Sequence, residues 1–416
     1  MSLGQIAQGD ISRTAIYFVE VGKAKPSMET LQLIAARTRK PIEFFLGETG
    51  LTDDASLAEV ERMVAVGDNA GAVAAGEALV AQSTNRRVIA NARLTMSTAL
   101  VRLGRGLEAR SHASAARSYF EEAGDVLMSA ESLGWEAAAA RMMDDAVSVE
   151  LATEALRRCR SIDPVPARTE ANLLAMLGHV LSARHQWERA IEVYEEATAV
   201  GGSYLDLRGL SYIYGNLSVA YEQIGQYARA GHYLRKAMVI LETLRDGNQL
   251  AVHKNNLAIL ILRQGDAAAA LRHAQDSLRE FERIDYDAMK AHALMTLSEI
   301  ELAMTEYDLA KHYARAAVDL ADRLGQATNS GEAHHWLARI AEARHDTATA
   351  DAEFAVAFHK FDEAGAHEWA AKGHAVYAEI LEARGDLAAA NRQLRLALGA
   401  IGPRDTARES VRTAIA

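Results

Sequence analysis

The sequence is poor in proline and cysteine. It has only five prolines among 416 residues, and none stands between Pro166 and Pro403. Because proline breaks helix interiors, such a long run without it favours long packed helices. The single cysteine, Cys159, excludes an internal disulfide, and we interpret it as a small buried apolar residue on a helix. This cysteine usage favours a cytoplasmic location.

Long apolar runs and a basic charge balance are also missing. No window of about 18 apolar residues is free of charges, so the sequence predicts no transmembrane span and no membrane partner. The N-terminus lacks the basic start and apolar run of a signal peptide. The net charge is −11, and an acidic body repels nucleic acid. Residues 1–48 carry six Lys or Arg against five Asp or Glu, so any DNA contact is expected in that segment.

A forty-residue repeat dominates the rest of the chain. Residues at spacings of four and three recur in six copies: Ala190, Tyr194, Ala197; Ala230, Leu234, Ala237; Ala270, Ala274, Ser277; Ala310, Ala314, Ala317; Ala350, Phe354, Ala357; Ala390, Leu394, Ala397. These spacings place the residues on one helical face, where small side chains let two helices approach closely. Thirteen residues before each first alanine stands a second pair: Leu177-Gly178, Leu217-Ser218, Leu257-Ala258, Leu297-Ser298, Leu337-Ala338 and Tyr377-Ala378.

A turn separates the two clusters of each copy. Gly225, Gly265 and Gly385 share one turn position, which His185 and other residues take in the remaining copies. A helix C-terminus prefers a residue tolerant of positive φ at such a position. Each copy is therefore predicted to be a helical hairpin that must stack on its neighbours. The period implies helices of roughly 16–18 residues, about 25 Å long.

This repeat resembles the tetratricopeptide repeat (TPR) family. Weaker copies around Ala74, Ala109 and Ala140 extend the pattern toward the N-terminus. The resemblance implies an all-α protein in which a right-handed TPR superhelix of about nine hairpins covers residues 52–402. Residues 403–416 are expected to form a capping helix or a disordered tail.

The segment "LGQIAQGDISRTAIYFVEVGKAKPSMETLQLIA" does not fit the repeat. It resembles the Xre-type, phage-repressor-like helix-turn-helix family at Ala7, Gly9, Ser12, Ile16, Glu20, Gly22, Pro26-Ser27, Leu31 and Ile34-Ala35. The resemblance implies a DNA-binding domain over residues 1–48 with Ser12–Glu20 as its recognition helix. The residues it assigns to DNA are Gln5, Ser12, Arg13, Thr14, Tyr17, Lys23 and Lys25. The family's domain begins with one more helix, so we expect either a start upstream of Met1 or an incomplete domain.

In TPR proteins the first helix of each pair lines a groove that holds extended peptides. The resemblance places these groove residues in the present sequence: Asn172, His179, Tyr212, Asn255, Ile259, Met295, Glu299, His335 and Arg339. Asn255 is the favoured contact because an amide both donates and accepts a hydrogen bond. Its neighbour Asn256 is expected to lie closer to the packing face.

Catalytic and metal-binding patterns are not found. The adjacent His334 and His335 diverge on a helix and cannot chelate one ion together. No glycine-rich phosphate loop, Ser-His-Asp order or CxxC motif occurs. We therefore predict a protein that is not an enzyme and has neither a metal nor a cofactor.

The two modules together resemble bacterial regulators that join an Xre-type head to a TPR array. That resemblance implies a homodimeric, ligand-responsive transcription regulator whose partners are double-stranded DNA and a signalling peptide or small ligand. Two alternatives stay open. One is a TPR scaffold that uses the N-terminal segment only as a cap, and the other is a regulator that has lost DNA binding and sequesters another protein.

Overall fold

The structure is a computed structural model that describes residues 6–7, 11–12, 14, 16–17, 26–38, 40, 48–201 and 206–400. These ranges contain nineteen helices. They are α1 (Met28–Thr38), α2 (Glu48–Val66), α3 (Asn69–Gln82), α4 (Arg86–Arg102), α5 (Gly106–Glu122), α6 (Val126–Met142), α7 (Ser148–Arg160), α8 (Ala167–Ala183), α9 (Trp187–Gly201), α10 (Leu207–Gln223), α11 (Tyr227–Leu244), α12 (Gly247–Arg263), α13 (Ala267–Arg283), α14 (Asp287–Ala303), α15 (Tyr307–Arg323), α16 (Ala327–Ala343), α17 (Thr347–Glu363), α18 (His367–Ala383) and α19 (Leu387–Ala400).

The helices belong to two compact units, Met1–Val180 and Leu181–Ala416. In the first unit, the six helices α2 to α7 pack on one another in chain order, and α4 also contacts α2 and α6. In the second unit, α10 to α19 pack consecutively, and α14 and α16 each also contact the helix two places before and after them. The all-α fold of stacked TPR-type hairpins is confirmed. The packed pairs among the described helices are α2–α3, α4–α5 and α6–α7 in the first unit and α10–α11, α12–α13, α14–α15, α16–α17 and α18–α19 in the second. The expected count of nine pairs stays a prediction. The borders drawn at residues 48 and 52 stay predictions, and 403–416 lies outside the described residues.

The small-residue positions of the repeat form the contacts between helices. Their alanines are buried in every copy, and Tyr194 and Phe354 are fully buried between them. Leu394 of the first cluster and Tyr377 of the second are only half-buried. Cys159 is also fully buried, as predicted. The sequence pattern therefore identified the packing faces of these helices correctly.

The turns within the pairs have the predicted left-handed geometry. The backbone φ is 74° at Gly225, 90° at Gly265 and 85° at Gly385, and it is also positive at the non-glycine residues that take this position elsewhere: His185 (55°), Thr305 (64°) and His345 (62°). The next residue often caps the following helix. The Asp266 carboxylate, for example, accepts a 2.9 Å hydrogen bond from the Ala269 N–H.

The turns between pairs are left-handed too, which the sequence did not indicate. Positive φ occurs at Arg245 (56°), Asp285 (53°), Gly325 (66°) and Gly365 (62°). With the turns inside the pairs, a left-handed residue therefore recurs every twenty residues from 225 to 385. Most of the helices between these turns are 17 residues long, within the predicted range.

The described part of the N-terminal segment packs around α1. Ala7, Ile16 and Leu31 are each less than a tenth exposed. The Arg37 guanidinium on α1 donates to the carbonyl oxygens of Ile6 and Ala7 at 2.8 and 2.9 Å. These bonds tie α1 to residues 6–7.

Candidate ligand-binding face

In the second unit the first helix of each pair is α10, α12, α14, α16 or α18. Two series of residues on these helices, each with a period of forty, are partly or fully exposed. They are Tyr212, Val252, His292, Glu332 and Lys372, and Val219, Ile259, Glu299, Arg339 and Glu379. Both series lie on the same side of their helices. We call this surface the candidate face.

A first cavity of about 390 Å³ opens between α10, α11 and α12. Its lining includes Tyr212, Asn216, Glu222, His253 and Asn256. The Asn216 Nδ2 atom is buried and has no hydrogen-bond partner among the described residues. The His253 imidazole is buried too and interacts with the Gln249 backbone. The cavity thus offers a ligand one amide donor and one imidazole nitrogen.

Burial controls the charge of the first cavity. It lowers the pKa of His253, which favours the neutral imidazole. Burial also raises the pKa of Glu222, an effect that the positive charge of Arg263 opposes. The pocket therefore suits polar, uncharged groups such as peptide amides.

A row of alternating charges follows along α12, α14, α16 and α18. Arg263 Nη1 lies 2.7 Å from Glu299 Oε1 in an ion pair between α12 and α14. Burial lowers the pKa of Arg339, and the charge of Glu299 opposes that shift. These side chains interact electrostatically between the first helices of successive pairs, so they lie on one side of the second unit. We call Arg263, Glu299, Arg339 and Glu379 the charged row.

A second cavity of about 120 Å³ lies between α16, α17 and α18. It is lined by Glu332, His335, Trp336, Phe361, Trp369, Lys372, Gly373 and Val376. Burial, assisted by the negative charge of Glu299, raises the pKa of Glu332 to about 7, although Lys372 opposes the shift. Burial and the charge of Arg339 lower the pKa of His335 to about 4, so this imidazole is neutral near pH 7.

The sequence-predicted groove residues of the second unit separate into two groups. Tyr212 lines the first cavity, Glu299 and Arg339 belong to the charged row, His335 lines the second cavity, and Ile259 is half-buried on the candidate face. Asn255 and Met295 are 6% and 2% exposed, so the structure buries both, contrary to the expectation for a groove.

The burial of Asn255 and Met295 follows from helical geometry. Adjacent helical residues point about 100° apart, so a choice shifted by one residue selects a different face. Asn256 lines the first cavity, whereas the sequence placed it nearer to the packing face. Met295 packs in an apolar cluster with Trp336 and Leu337. The sequence does contain a signal for the side of the helices that lines the first cavity. Asn216 and Asn256 are both polar and stand forty residues apart, at the same position of the repeat.

Two predicted groove residues, Asn172 and His179, lie in the first unit. Asn172 is exposed and His179 is half-buried on α8. Burial, with a contribution from the charge of Arg141, lowers the pKa of His179 to about 4. Their part in ligand binding stays a prediction.

Three of the residues assigned to DNA lie among the described residues, and their part in DNA binding stays a prediction. Ser12, Thr14 and Tyr17 are exposed, whereas Ile16 is 5% exposed. The Ile16 N–H donates to the Ser12 carbonyl oxygen at 3.2 Å, which is a helical contact. The other residues assigned to DNA, Gln5, Arg13, Lys23 and Lys25, lie outside the described residues.

Neither metal ligands nor membrane-spanning helices are evident in the described part of the protein. Within it, no three His, Cys, Asp or Glu side chains are grouped so that they could hold a metal ion. No helix of that part combines the length and apolarity needed to cross a bilayer. The expectation that the protein is not an enzyme stays a prediction.

The fold and the candidate face define a TPR-type helical-repeat protein. Among solved structures, the chain is similar to the apo form of RapI, with 13% identity and a TM-score of 0.66 over 87% of this chain and 99% of that chain. It is also similar to a Pyrococcus horikoshii signal-transduction ATPase with a tetratricopeptide repeat sensor, at 12% identity and a TM-score of 0.61 over 84% and 52% of the two chains. The apo quorum sensor NprR from B. thuringiensis has 14% identity and a TM-score of 0.59 over 84% and 98%.

Similarities at these identities show a shared fold alone. No model of a protein family matches the chain, and neither does any of the curated proteins compared with it.

Proposed function

We propose that the protein is a ligand-responsive transcription regulator whose second unit binds an extended peptide or small polar ligand. The observation that carries the proposal is the first cavity, with its buried, unpaired Asn216 Nδ2 atom and its buried His253 imidazole. A volume of 390 Å³ falls within the range of about 300–1,000 Å³ typical of ligand pockets.

The chemistry of the first cavity favours a peptide backbone or a similar amide. A buried polar atom without a partner costs about 1–3 kcal/mol, and a ligand that pairs with it removes that cost. Asn216 Nδ2 can donate to a ligand carbonyl, and the Asn256 amide can both donate and accept. The nearby exposed Tyr212 adds an amphipathic ring to the same wall. Such a set grips backbone amides without requiring a particular side chain.

The similarity to NprR supports a sensing role, because that protein is a quorum sensor with the same kind of fold. In the present protein, we assign the sensing step to the first cavity and to the charged row beside it. A ligand bound there would favour one curvature of the repeat array over another. The change in curvature would carry the effect of ligand binding to the rest of the protein.

The DNA-binding half of the proposal rests on the N-terminal segment. Its resemblance to Xre-type domains is supported by the burial of Ile16 beside the exposed Thr14 and Tyr17. In a homodimer, two such heads about 34 Å apart would reach successive major grooves. Ligand binding would then change the affinity for DNA by changing how the dimer presents the heads.

A substitution in the first cavity tests the ligand-binding half. Asn256→Ala removes the amide and keeps the helix, so we expect peptides that bind the wild-type protein to bind about tenfold more weakly, as the loss of one or two hydrogen bonds implies. Peptides are selected by affinity mass spectrometry from a random heptapeptide library, and their affinities are measured by calorimetry.

The matched control is Asn391→Ala, which removes an exposed amide from α19 outside the cavity. The control should bind the selected peptides as the wild-type protein does. Equal affinities of all three proteins, or a library from which nothing is enriched, would refute peptide binding in the first cavity.

An interaction scaffold without DNA binding is the second candidate function. The net charge of −11 favours it, because an acidic protein repels DNA unless a local surface compensates. The two functions differ in DNA affinity, because the regulator binds a specific DNA sequence and the scaffold does not.

A further inference from the structure

The second cavity holds a carboxylate oxygen without a partner. Glu332 Oε2 is buried and makes no hydrogen bond to any described residue. The cation of the cavity wall, Lys372, is engaged elsewhere, because its Nζ lies 2.7 Å from Glu368 Oε1. The buried carboxylate therefore lacks a direct neutralising contact, and such a group is costly unless it is paired or protonated.

Aromatic rings form the walls around this carboxylate. Trp336, Phe361 and Trp369 line the cavity together with Glu332. Both indoles already attract cations of the protein: the Arg339 guanidinium lies 4.4 Å from the Trp336 centroid, and Lys372 Nζ lies 5.4 Å from the Trp369 centroid. A carboxylate among aromatic faces is the combination that binds an ammonium or guanidinium group.

The size of the cavity limits what can enter it. Its volume of about 120 Å³ is several times the roughly 30 Å³ that one water molecule occupies in the liquid. It accommodates the end of one side chain, whereas the first cavity is large enough for several groups. Both cavities lie in the second unit, the first between α10, α11 and α12 and the second between α16, α17 and α18.

We propose that the second cavity binds the basic side chain of a ligand, with Glu332 as the hydrogen-bond acceptor and the indoles of Trp336 and Trp369 as walls. This inference rests on the proposed function and deepens it, because it assigns a lysine-like or arginine-like residue to the ligand. The basic group would occupy the position opposite Glu332 that Lys372 leaves unfilled.

The charges that face Glu332 predict how binding depends on pH. The charges that act on Glu332 are Glu299 from α14 and Lys372 from α18, whose ion-pair partner is Glu368. On α16 itself, the neutral His335 imidazole lines the same cavity and Arg339 follows one turn later. With its pKa raised to about 7, Glu332 is partly protonated at neutral pH. A bound cation favours the ionised form, so binding releases a proton and becomes tighter as the pH rises through 7.

Small probes test the site without knowledge of the natural ligand. Nα-acetyl-lysine amide and Nα-acetyl-arginine amide carry the two cationic groups, and Nα-acetyl-norleucine amide is an uncharged match for the lysine probe. Full-length protein with ¹⁵N-labelled tryptophan is titrated with each probe, and the Trp336 and Trp369 indole signals are assigned from Phe variants. We expect at least one cationic probe to shift both signals with an affinity about tenfold or more above that of the norleucine probe.

Three variants identify the acceptor. E332Q should weaken the cationic probe about tenfold and abolish the pH dependence of its binding, because the charge has been removed. Glu382→Gln removes an exposed carboxylate from the same helix as Lys372 and should change neither. Lys372→Met removes the competing cation and should tighten binding of the cationic probe, which damage to the fold would not do.

Several results would overturn the inference. They are equal binding of charged and uncharged probes, an E332Q protein that binds the cation normally, or weaker binding in Lys372→Met. If E332Q does not fold, the probe comparison and Lys372→Met still decide the question. Two further results separate this inference from the proposed function. If the selected peptides bind the first cavity but carry no basic residue, only the present inference is refuted. If the cationic probes bind but no peptide does, only the proposal of peptide binding is refuted.

Discussion

At the scale of single residues, one backbone geometry is met by very different side chains. Gly265 and Thr305 occupy equivalent turn positions with φ of 90° and 64°. Glycine reaches this region without steric cost, whereas a β-branched residue there is strained. The fold therefore tolerates strain at some turns while retaining the same geometry.

Substituting Thr305 with glycine should stabilise the protein. The left-handed conformation costs a non-glycine residue about 1–2 kcal/mol, and the extra freedom of glycine in the unfolded chain offsets part of it, so we expect a gain of about 0.5–1 kcal/mol. Urea unfolding followed by circular dichroism measures the change. The reciprocal control, Gly265→Thr, should lower the unfolding midpoint, and a lower midpoint for both variants would contradict the strain argument.

Predictions for single residues succeeded where the position of a residue in the repeat decides its backbone conformation. The positive φ at His185 and His345 followed from their alignment with glycines. The relative burial of Asn255 and Asn256 was predicted the wrong way round, because the rotation of a helix about its own axis decides which of two adjacent residues is buried. One sequence contains no measure of that rotation.

At the scale of helices, a buried hydrogen bond joins α16 to α17. His334 Nδ1 lies 2.6 Å from Glu353 Oε2, and Arg315 on α15 lies 3.0 Å from the other carboxylate oxygen. Burial alone would raise the pKa of Glu353, but the hydrogen bond and charge of His334 and the charge of Arg315 hold it below 4.5. Three successive helices are thus linked through one carboxylate.

Glu353→Gln should destabilise the packing of these helices. The substitution keeps the shape but replaces the charged oxygens that contact Arg315 and His334 with a neutral amide, so we expect a loss of about 1–3 kcal/mol. Because the folded-state pKa is depressed, the stabilisation is complete above the ordinary value of 4.5 and is lost as the pH falls through the lower folded-state value.

Urea unfolding at several pH values measures this difference. The gap between wild-type and E353Q proteins should be constant above pH 5 or so and should close in acid. Glu363→Gln on the same helix is the control, since that carboxylate is half exposed. A gap that does not vary with pH would show that packing rather than charge links the helices.

The order and length of the helices were largely predictable, because small residues at a fixed period can satisfy only one packing arrangement. The left-handed turns at Arg245 and Asp285 were not, since neither residue type requires positive φ. The two cavities were also missed, because a cavity depends on side chains from three helices at once.

At the scale of the whole molecule, the proposed regulator requires DNA binding to depend on the sensing unit. We expect the full-length protein to enrich a specific sequence from a random pool of duplex DNA. Thr14→Ala, at an exposed position of the proposed recognition helix, should relax discrimination at one base pair by about 1–3 kcal/mol.

Gln32→Ala, which removes an exposed side chain from α1, is the control for this DNA experiment and should select the same sequence as the wild-type protein. Adding a peptide selected for the first cavity should change the DNA affinity of the wild-type protein. If no sequence is enriched, the scaffold function replaces the regulator.

The left-handed residue that recurs every twenty positions also has a mechanical consequence. Pulled from its ends, the second unit would lengthen in nearly equal steps, because each pair of helices stores the same number of residues. Forty residues extend to about 130–140 Å when fully stretched. Removing one complete pair of helices would leave the turns of all the other pairs in register. The chain can therefore gain or lose whole pairs without a change in the geometry of the remaining turns.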